Sequence, residues 1–298
     1  MTSAARLRQL LRREQMLLAP GAYDCITART IAQAGFDAVY MTGAGTAATL
    51  GYPDYGLVTM SEMADNAGRL ASAVPVPVIA DADTGYGNEL NTTRTVKEYE
   101  RRGVAGLHIE DQGFPKKCGH LDNKVVVPLQ DYLAKVRAAV AARQNPDFVI
   151  IARTDARAVL GFEEAIRRAN AALEAGADLA FVEAPQTLDE VVAVPRLVKG
   201  PCLLNVVWRG KTPDIAFDDA AKAGYKLAIV PGLLFKAVIG TCDLMLAELK
   251  ARGRHPVLDT PMTVGDAFRR VGAAEWDAIS ERFRSTDPAA STRSQAAE

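Results

Sequence analysis

Cysteine and histidine are scarce in this chain. Four cysteines (Cys25, Cys118, Cys202 and Cys242) are spread irregularly over 298 residues, a spacing that fits neither a secreted disulfide framework nor a C-x-x-C zinc site. The expected compartment is therefore reducing, and the expected location cytoplasmic. An excess of charge is lacking too: 35 basic and 36 acidic residues leave a net charge of −1, so no global field recruits nucleic acid or an anionic membrane. No run reaches the roughly 18 apolar residues of a membrane span. The Arg-rich N-terminus, "MTSAARLRQLLRREQMLLAPGAYD", has no signal-peptide apolar stretch and reads as a leading amphipathic helix, with a transit peptide as the minor alternative. What remains is a chain with 49% apolar and 24% charged residues, enough to build a substantial core around a small-molecule site.

Short runs rich in Val, Ile and Ala recur eight times, at 17–24, 38–45, 76–85, 106–112, 148–156, 179–185, 203–207 and 227–232. Helical patterns separate them, such as 161–176, where Phe162, Ala165, Ile166, Ala169, Ala172 and Leu173 form one stripe ending at Gly176. Eight buried strands alternating with helices read as a (β/α)8 barrel over residues 1–255, followed by a helical extension at 256–283 and a polar, disordered tail at 284–298. Asp24, Thr42, Asp81, Asp83, Glu110, Arg153, Asp155, Glu183 and Asn205 all fall at the C-terminal ends of these runs, where barrel enzymes carry their chemistry. A doubly wound sheet would show part of this pattern; the barrel is the favoured reading.

Three stretches carry chemistry. "DADTGYG" (81–87) sets Asp81 and Asp83 two apart, on one face of a regular strand, where paired carboxylates call for a cation such as Mg²⁺ or Mn²⁺. Helix capping is the competing reading, and Glu110 with Asp111 strengthens the metal. His108 reads as core or as support for the site, and His255 has no partner in the sequence. "TGAGTAA" (42–48) matches a dinucleotide fingerprint in letters only, since it follows the second strand; its small residues suit backbone N–H groups approaching a carboxylate. Arg153 and Asn205 suit carboxylate recognition; an Arg153–Glu183 salt bridge is the competing idea, and the two are compatible. In "EDQGFPKKCGH" (110–120), Lys116, Lys117 and His120 surround Cys118, a setting expected to lower its thiol pKa.

"KKCGH" preceded by "EDQ", with "DADTGYG" upstream, resembles the isocitrate lyase and phosphoenolpyruvate mutase superfamily over about residues 10–255, in its carbon–carbon lyase branch. That branch includes methylisocitrate lyase, 2,3-dimethylmalate lyase and petal-death-type oxaloacetate hydrolase. The resemblance implies Mg²⁺ on Asp83 and, through water, Asp81, with Glu110 in the outer shell. Tyr40, Thr42, Gly43 and Ala44 would cradle the 2-oxo acid end, near Asp54. Arg153 would clamp a carboxylate, Glu183 would support the catalytic site, and Gly119, His120 and Asn205 would hold the other carboxylate. Cys118 would be the acid/base, biased by Lys116 and His120, on a loop that Gly119 lets move; Tyr40 would take the hydroxyl proton.

The implied reaction is Mg²⁺-dependent cleavage of a 2-hydroxy dicarboxylate of the 2-alkylmalate type to a 2-oxo acid such as pyruvate and a carboxylate. Oxaloacetate hydrolysis or decarboxylation and 2-methylisocitrate cleavage are the alternatives, and phosphonate chemistry is disfavoured by Cys118. The resemblance also implies a homotetramer with C-terminal helices exchanged between subunits. One departure stands out: after Asn205, tricarboxylate-cleaving relatives carry a hydroxyl residue and then an acid, where this chain has Val207 and Trp208. An apolar, bulky pocket end is the expectation, one that disfavours a third carboxylate.

Overall fold

The computed structural model describes residues 1–257 and 262–284. Eight parallel strands close into a barrel in sequence order: β1 Leu17–Ala22, β2 Val39–Met41, β3 Val78–Asp81, β4 Gly106–Glu110, β5 Val149–Thr154, β6 Leu179–Val182, β7 Cys202–Asn205 and β8 Leu227–Val230. Closure sets Leu17 opposite Leu227 and Pro20 opposite Val230. Each strand lies inside one of the eight runs or within a residue of it. The strands are almost wholly buried, because a parallel barrel packs one strand face into its interior and the other under helices.

The leading helix, Ser3–Leu11, is capped by Thr2, whose hydroxyl accepts from the Ala5 N–H. Its Leu7 and Leu10 are buried in one cluster with Ala19, Ile79, Ile151 and Phe181 of the barrel strands. That cluster is apolar apart from the Tyr40 hydroxyl, so the ionisable groups collect at the strand C-termini. Helix Phe162–Glu174 buries Ala165, Ala169 and Ala172 of the expected stripe, with Phe162, Ile166 and Leu173 packed beside them.

Two expected rim residues have structural duties instead. Asp24 caps helix Cys25–Gln33 through a reciprocal pair of bonds with Thr27. Asp111 cannot reinforce Glu110 at a metal, because successive strand residues face opposite sides. Its carboxylate accepts from the Thr154 hydroxyl at 2.6 Å and the Asp155 N–H at 2.8 Å, and pairs with buried Arg168 at 3.0 Å.

Contacts divide the chain within helix Leu233–Arg252, into one compact unit Met1–Asp243 and a second Leu244–Glu298. The second contains helices Val264–Arg270 and Ala273–Arg284. The expected disordered tail lies, from residue 285, outside the described residues. Among the described residues no helix is long and apolar enough to cross a membrane.

Candidate active site

A cavity of about 450 Å³ opens at the C-terminal end of the barrel. Tyr40, Thr42, Ala44, Asp54 and Asp81 line one side, and Cys118, Gly119, His120, Arg153, Glu183 and Asn205 line the other. Gly43, Asp83, Glu110 and Lys116 are not on its surface. All of these but His120, Cys118, Ala44 and Asp54 are buried, so the site is assembled mostly from groups already stripped of water.

The acidic side starts where β3 ends. The strand stops at Asp81, and Asp83 takes a left-handed backbone with φ 45°, so the two carboxylates do not share a regular strand face as expected. Instead the Asp83 N–H donates to Asp81 Oδ1 at 2.9 Å. The Gly43 N–H reaches Asp81 Oδ2 at 3.2 Å, and a Cβ on Gly43 would sit 2.4 Å from that oxygen. The small residues of "TGAGTAA" thus bring an N–H to a carboxylate, the protein's own. Burial opposes charge on Asp81, yet His108, Lys116 and Arg153 outweigh it and hold the group down at about 2. Burial and the neighbouring Asp81 push Asp83 up to about 6, against Lys116.

Lys116 bridges the acids, with Nζ 2.5 Å from Asp54 Oδ1 and 2.7 Å from Asp83 Oδ1. Tyr40 places its hydroxyl 2.8 Å from His108 Nε2 and 3.4 Å from Asp81 Oδ2. Burial and Asp81 hold its proton well above the ordinary phenol range. Burial pulls His108 down to about 4, so its ring is neutral at pH 7, and it lies buried against the Tyr40 hydroxyl.

The other side centres on Arg153. Its Nε and Nη2 fork onto Asp155 at 2.9 and 3.2 Å, Nη1 lies 3.2 Å from Glu110 Oε2, and Nη2 lies 3.7 Å from Glu183 Oε1. The salt-bridge reading of Arg153 therefore holds at long range, and Asp155 takes its bidentate edge. Asn205 Nδ2 donates to both Glu183 oxygens at 3.1 and 3.3 Å. His120 receives the Lys211 N–H on Nδ1 at 3.0 Å and turns Nε2 to within 3.2 Å of Glu183 Oε1.

The loop from 113 to 126 carries Cys118 between these two sides. Its base is pinned by the Gly113 N–H on Val125 O at 2.8 Å and by a Gln112–Val126 bridge. The Cys118 N–H donates to Asp54 O at 3.1 Å. Lys124, buried and unmarked by any sequence pattern, bonds Gly119 O and lies 3.1 Å from Asp155 Oδ1.

Two readings of this loop change: the thiol is protonated, and Gly119 gains a steric duty. The Cys118 thiol is raised to about 11, first by burial and then by Asp54, because the ammonium of Lys116 lies against Asp54 and Asp83. Gly119 has no left-handed φ; it is required by close approach, since a Cβ there would fall 2.2 Å from Glu183 Oε1 and 2.4 Å from Arg153 Nη2.

A third correction concerns Trp208. It is 66% exposed and does not line the cavity, whereas Val207 does, with Arg209, Lys211, Phe235 and Lys236. A strand-and-rim pattern had no way to mark these residues, which sit on a loop and on a helix after the barrel closes.

A hard cation fits the acidic side. Asp81, Asp83 and Glu110 bring only oxygen donors; Asp83 Oδ1 meets Lys116 and Glu110 Oε2 meets Arg153, while Glu110 Oε1 is buried without a hydrogen-bond partner. Burial drives Glu110 well above the usual carboxylate range, the mark of a carboxyl short of positive charge. Among the described residues no three His, Cys, Asp or Glu groups close round a metal by themselves, so water and substrate would complete the set, as Mg²⁺ commonly requires.

Comparison with known proteins agrees with this arrangement. The chain is 44% identical to the 2,3-dimethylmalate lyase of Eubacterium barkeri, over 89% of this chain and 93% of that one. It is 42% identical to the 2-methylisocitrate lyase of Aeropyrum pernix, over 91% and 88%. A solved phosphonopyruvate hydrolase, in complex with oxalate and Mg²⁺, superposes with a TM-score of 0.86 at 31% identity, over 95% of this chain and 99% of that one. With the family model for phosphoenolpyruvate phosphomutase matching residues 7–250, the chain belongs to the phosphoenolpyruvate mutase and isocitrate lyase superfamily and is a carbon–carbon lyase of that group.

Proposed function

We propose that the protein cleaves the C2–C3 bond of a 2-hydroxy acid with a 2-alkylmalate core, giving a 2-oxo acid such as pyruvate and a carboxylate. The observation that carries this reading is a protonated thiol, Cys118, held between an acidic, cation-seeking side and the Arg153, His120 and Asn205 side of one cavity. Asp81 and Asp83, with Glu110 behind them, would hold Mg²⁺ or Mn²⁺, a Lewis acid for the hydroxyl and carboxylate oxygens of the substrate.

The chain's own groups do the rest. Thr42, Ala44 and the neighbouring N–H groups seat the carboxylate of the nascent 2-oxo acid. Arg153, His120 and Asn205 receive the carboxylate beyond C3. Tyr40 is neutral, so it accepts the hydroxyl proton only while passing its own to His108 Nε2, 2.8 Å away. As the C2 carbonyl forms, the C2–C3 pair moves onto C3, and Cys118 donates its thiol proton there. A pKa of about 11 suits that role, since a thiol that is SH at pH 7 is an acid in waiting. The same loop covers the cavity and limits water at the carbanion stage.

We also infer a homotetramer that exchanges its C-terminal helices. Helix Leu233–Arg252 buries none of its residues and exposes Val238, Ile239, Leu244 and Leu246, more apolar surface than an isolated helix leaves in water. A monomer by light scattering at micromolar concentration would end that part.

The reaction is tested by pyruvate release from 2,3-dimethylmalate and 2-methylisocitrate with Mg²⁺, against oxaloacetate consumption. Excess EDTA is expected to stop release, and added Mg²⁺ or Mn²⁺ to restore it. Oxaloacetate turnover alone, or full activity in EDTA, would overturn the reading.

A further inference from the structure

The far end of the cavity, beyond Asn205, differs from the apolar end expected from Val207 and Trp208. Leu121, Val207 and Phe235 supply an apolar wall, and Arg209, Lys211 and Lys236 close it with three cations. Two of these are engaged: Lys211 Nζ pairs with Asp122, and Lys236 Nζ donates to Trp208 O at 2.7 Å. Arg209 has neither a hydrogen bond nor an ion pair among the described residues; its only contact of note is with Trp208, whose ring centre lies 4.4 Å from its guanidinium carbon. The acids that line the cavity, Asp54, Asp81 and Glu183, are all engaged elsewhere, with Lys116, with the Asp83 N–H and with Asn205.

The backbone at Arg209 is held in place, while its side chain is exposed. Its φ is 59°, a left-handed conformation that non-glycine residues seldom adopt, and it sits in a turn closed by the Gly210 N–H on Val207 O at 2.8 Å. Gly210 packs so tightly that a Cβ there would meet His120 Nδ1 at 2.7 Å, and the next N–H, that of Lys211, bonds the same nitrogen. The turn therefore rests on the histidine two residues from Cys118. The guanidinium carbon lies over the Trp208 ring and its N–H groups have no partner among the described residues, so they are available to a carboxylate.

We infer that Arg209, shelved on Trp208, is the specificity-determining residue for a carboxylate at the end of the substrate's C3 substituent, so that the preferred substrate carries a carboxymethyl-type arm and not a bare alkyl group. This rests on the proposed 2-hydroxy acid cleavage for the placement of C3. The methylene portion of the arm lies on Val207, Leu121 and Phe235, and the terminal carboxylate meets Arg209, with Lys236 adding charge. The same features explain the departure after Asn205: the tryptophan is not a wall of the pocket but the platform for the next residue.

The test uses non-reacting ligands, so it does not depend on turnover. Tricarballylate carries the third carboxylate and methylsuccinate lacks it; each is titrated by calorimetry into the full-length protein with Mg²⁺. Tricarballylate is expected to bind at least about tenfold more tightly, the scale of one charge-assisted bidentate contact. Arg209→Ala brings the two ligands within about twofold of each other, and Arg209→Lys, which keeps the charge without the fork, falls between. Thermal melting shows whether each variant is folded; an unfolded Arg209→Ala leaves the wild-type preference and Arg209→Lys to decide. No preference in the wild type, no binding of either ligand, or an undiminished preference in the folded variants overturns the inference. Absence of pyruvate release from any 2-hydroxy acid alongside an intact, Arg209-dependent preference would sink the proposed reaction and leave the subsite standing.

Discussion

Two of the loops that border the cavity are held by different forces. The loop from 113 to 126, after β4, is fixed by buried charge: Lys116 against Asp54 and Asp83, Lys124 against Asp155 and Gly119 O. The segment from 206 to 211, after β7, is fixed by backbone hydrogen bonds and by a stacked pair, Trp208 and Arg209, that faces solvent. A buried ion pair tolerates little displacement, because removing one partner leaves an uncompensated charge away from water. An exposed stack shifts at small cost. The first loop is built to place one sulfur, and the second is built to choose a substituent.

The largest effect that sharpens this contrast is expected from Cys118→Ser. An alcohol is a far weaker acid than the thiol it replaces, so the release of pyruvate should fall to less than about a hundredth while the melting temperature stays near wild type. Activity well above that level would remove Cys118 as the proton donor.

Gly119→Ala comes next. Its Cβ would collide with Glu183 and Arg153, and neither is free to retreat, since Asn205 and His120 hold one and Asp155 and Glu110 hold the other. Overpacking of this kind costs about 1–3 kcal/mol of stability. Because the displaced segment carries Cys118, kcat should fall by roughly tenfold or more, with KM less affected. A variant with normal kcat would show that the loop has room to spare.

A chemical measurement separates the buried thiol from an exposed one. At pH 8, iodoacetamide followed by mass spectrometry should label Cys118 at least about tenfold more slowly than the single cysteine of an unstructured reference peptide. Labelling of Cys118 should then climb with pH towards its pKa of about 11, since burial and Asp54 disfavour the thiolate. Rapid labelling of Cys118 at pH 7 would mean a thiolate, and would return the base, not the acid, as its role.

Trp208→Ala should have the smallest effect. Losing the stack frees Arg209 without removing its charge, so tricarballylate affinity should weaken by about two- to fivefold, within the usual worth of an exposed cation–π contact. A hundredfold loss would mean that Trp208 meets the ligand itself, contrary to its placement.

The rim residues were legible because strand order and strand-end chemistry are local properties. Runs of β-branched residues ending in Asp81, Glu110, Arg153, Glu183 and Asn205 lead to the barrel and to its active end. What periodicity missed lies off the strands: Lys124 on the first loop and Arg209 on the second follow no repeat. Asp111 misled because two adjacent acids look alike in a row of letters, although a strand turns them to opposite faces.

The sequence alone determined the eight strands, the family motifs and the candidate residues at the strand ends, since each depends on residue type and short spacing. Only the tertiary structure decided their states. Cys118 looked like an activated thiolate beside two lysines, yet Lys116 lies against Asp54 and Asp83 and burial keeps the sulfur protonated. Gly119 looked like a hinge and is also a point of close contact; Trp208 looked like a wall and supports Arg209. Charge, solvent access and close approach are sums over neighbours far apart in the chain, and folding is what brings those neighbours together.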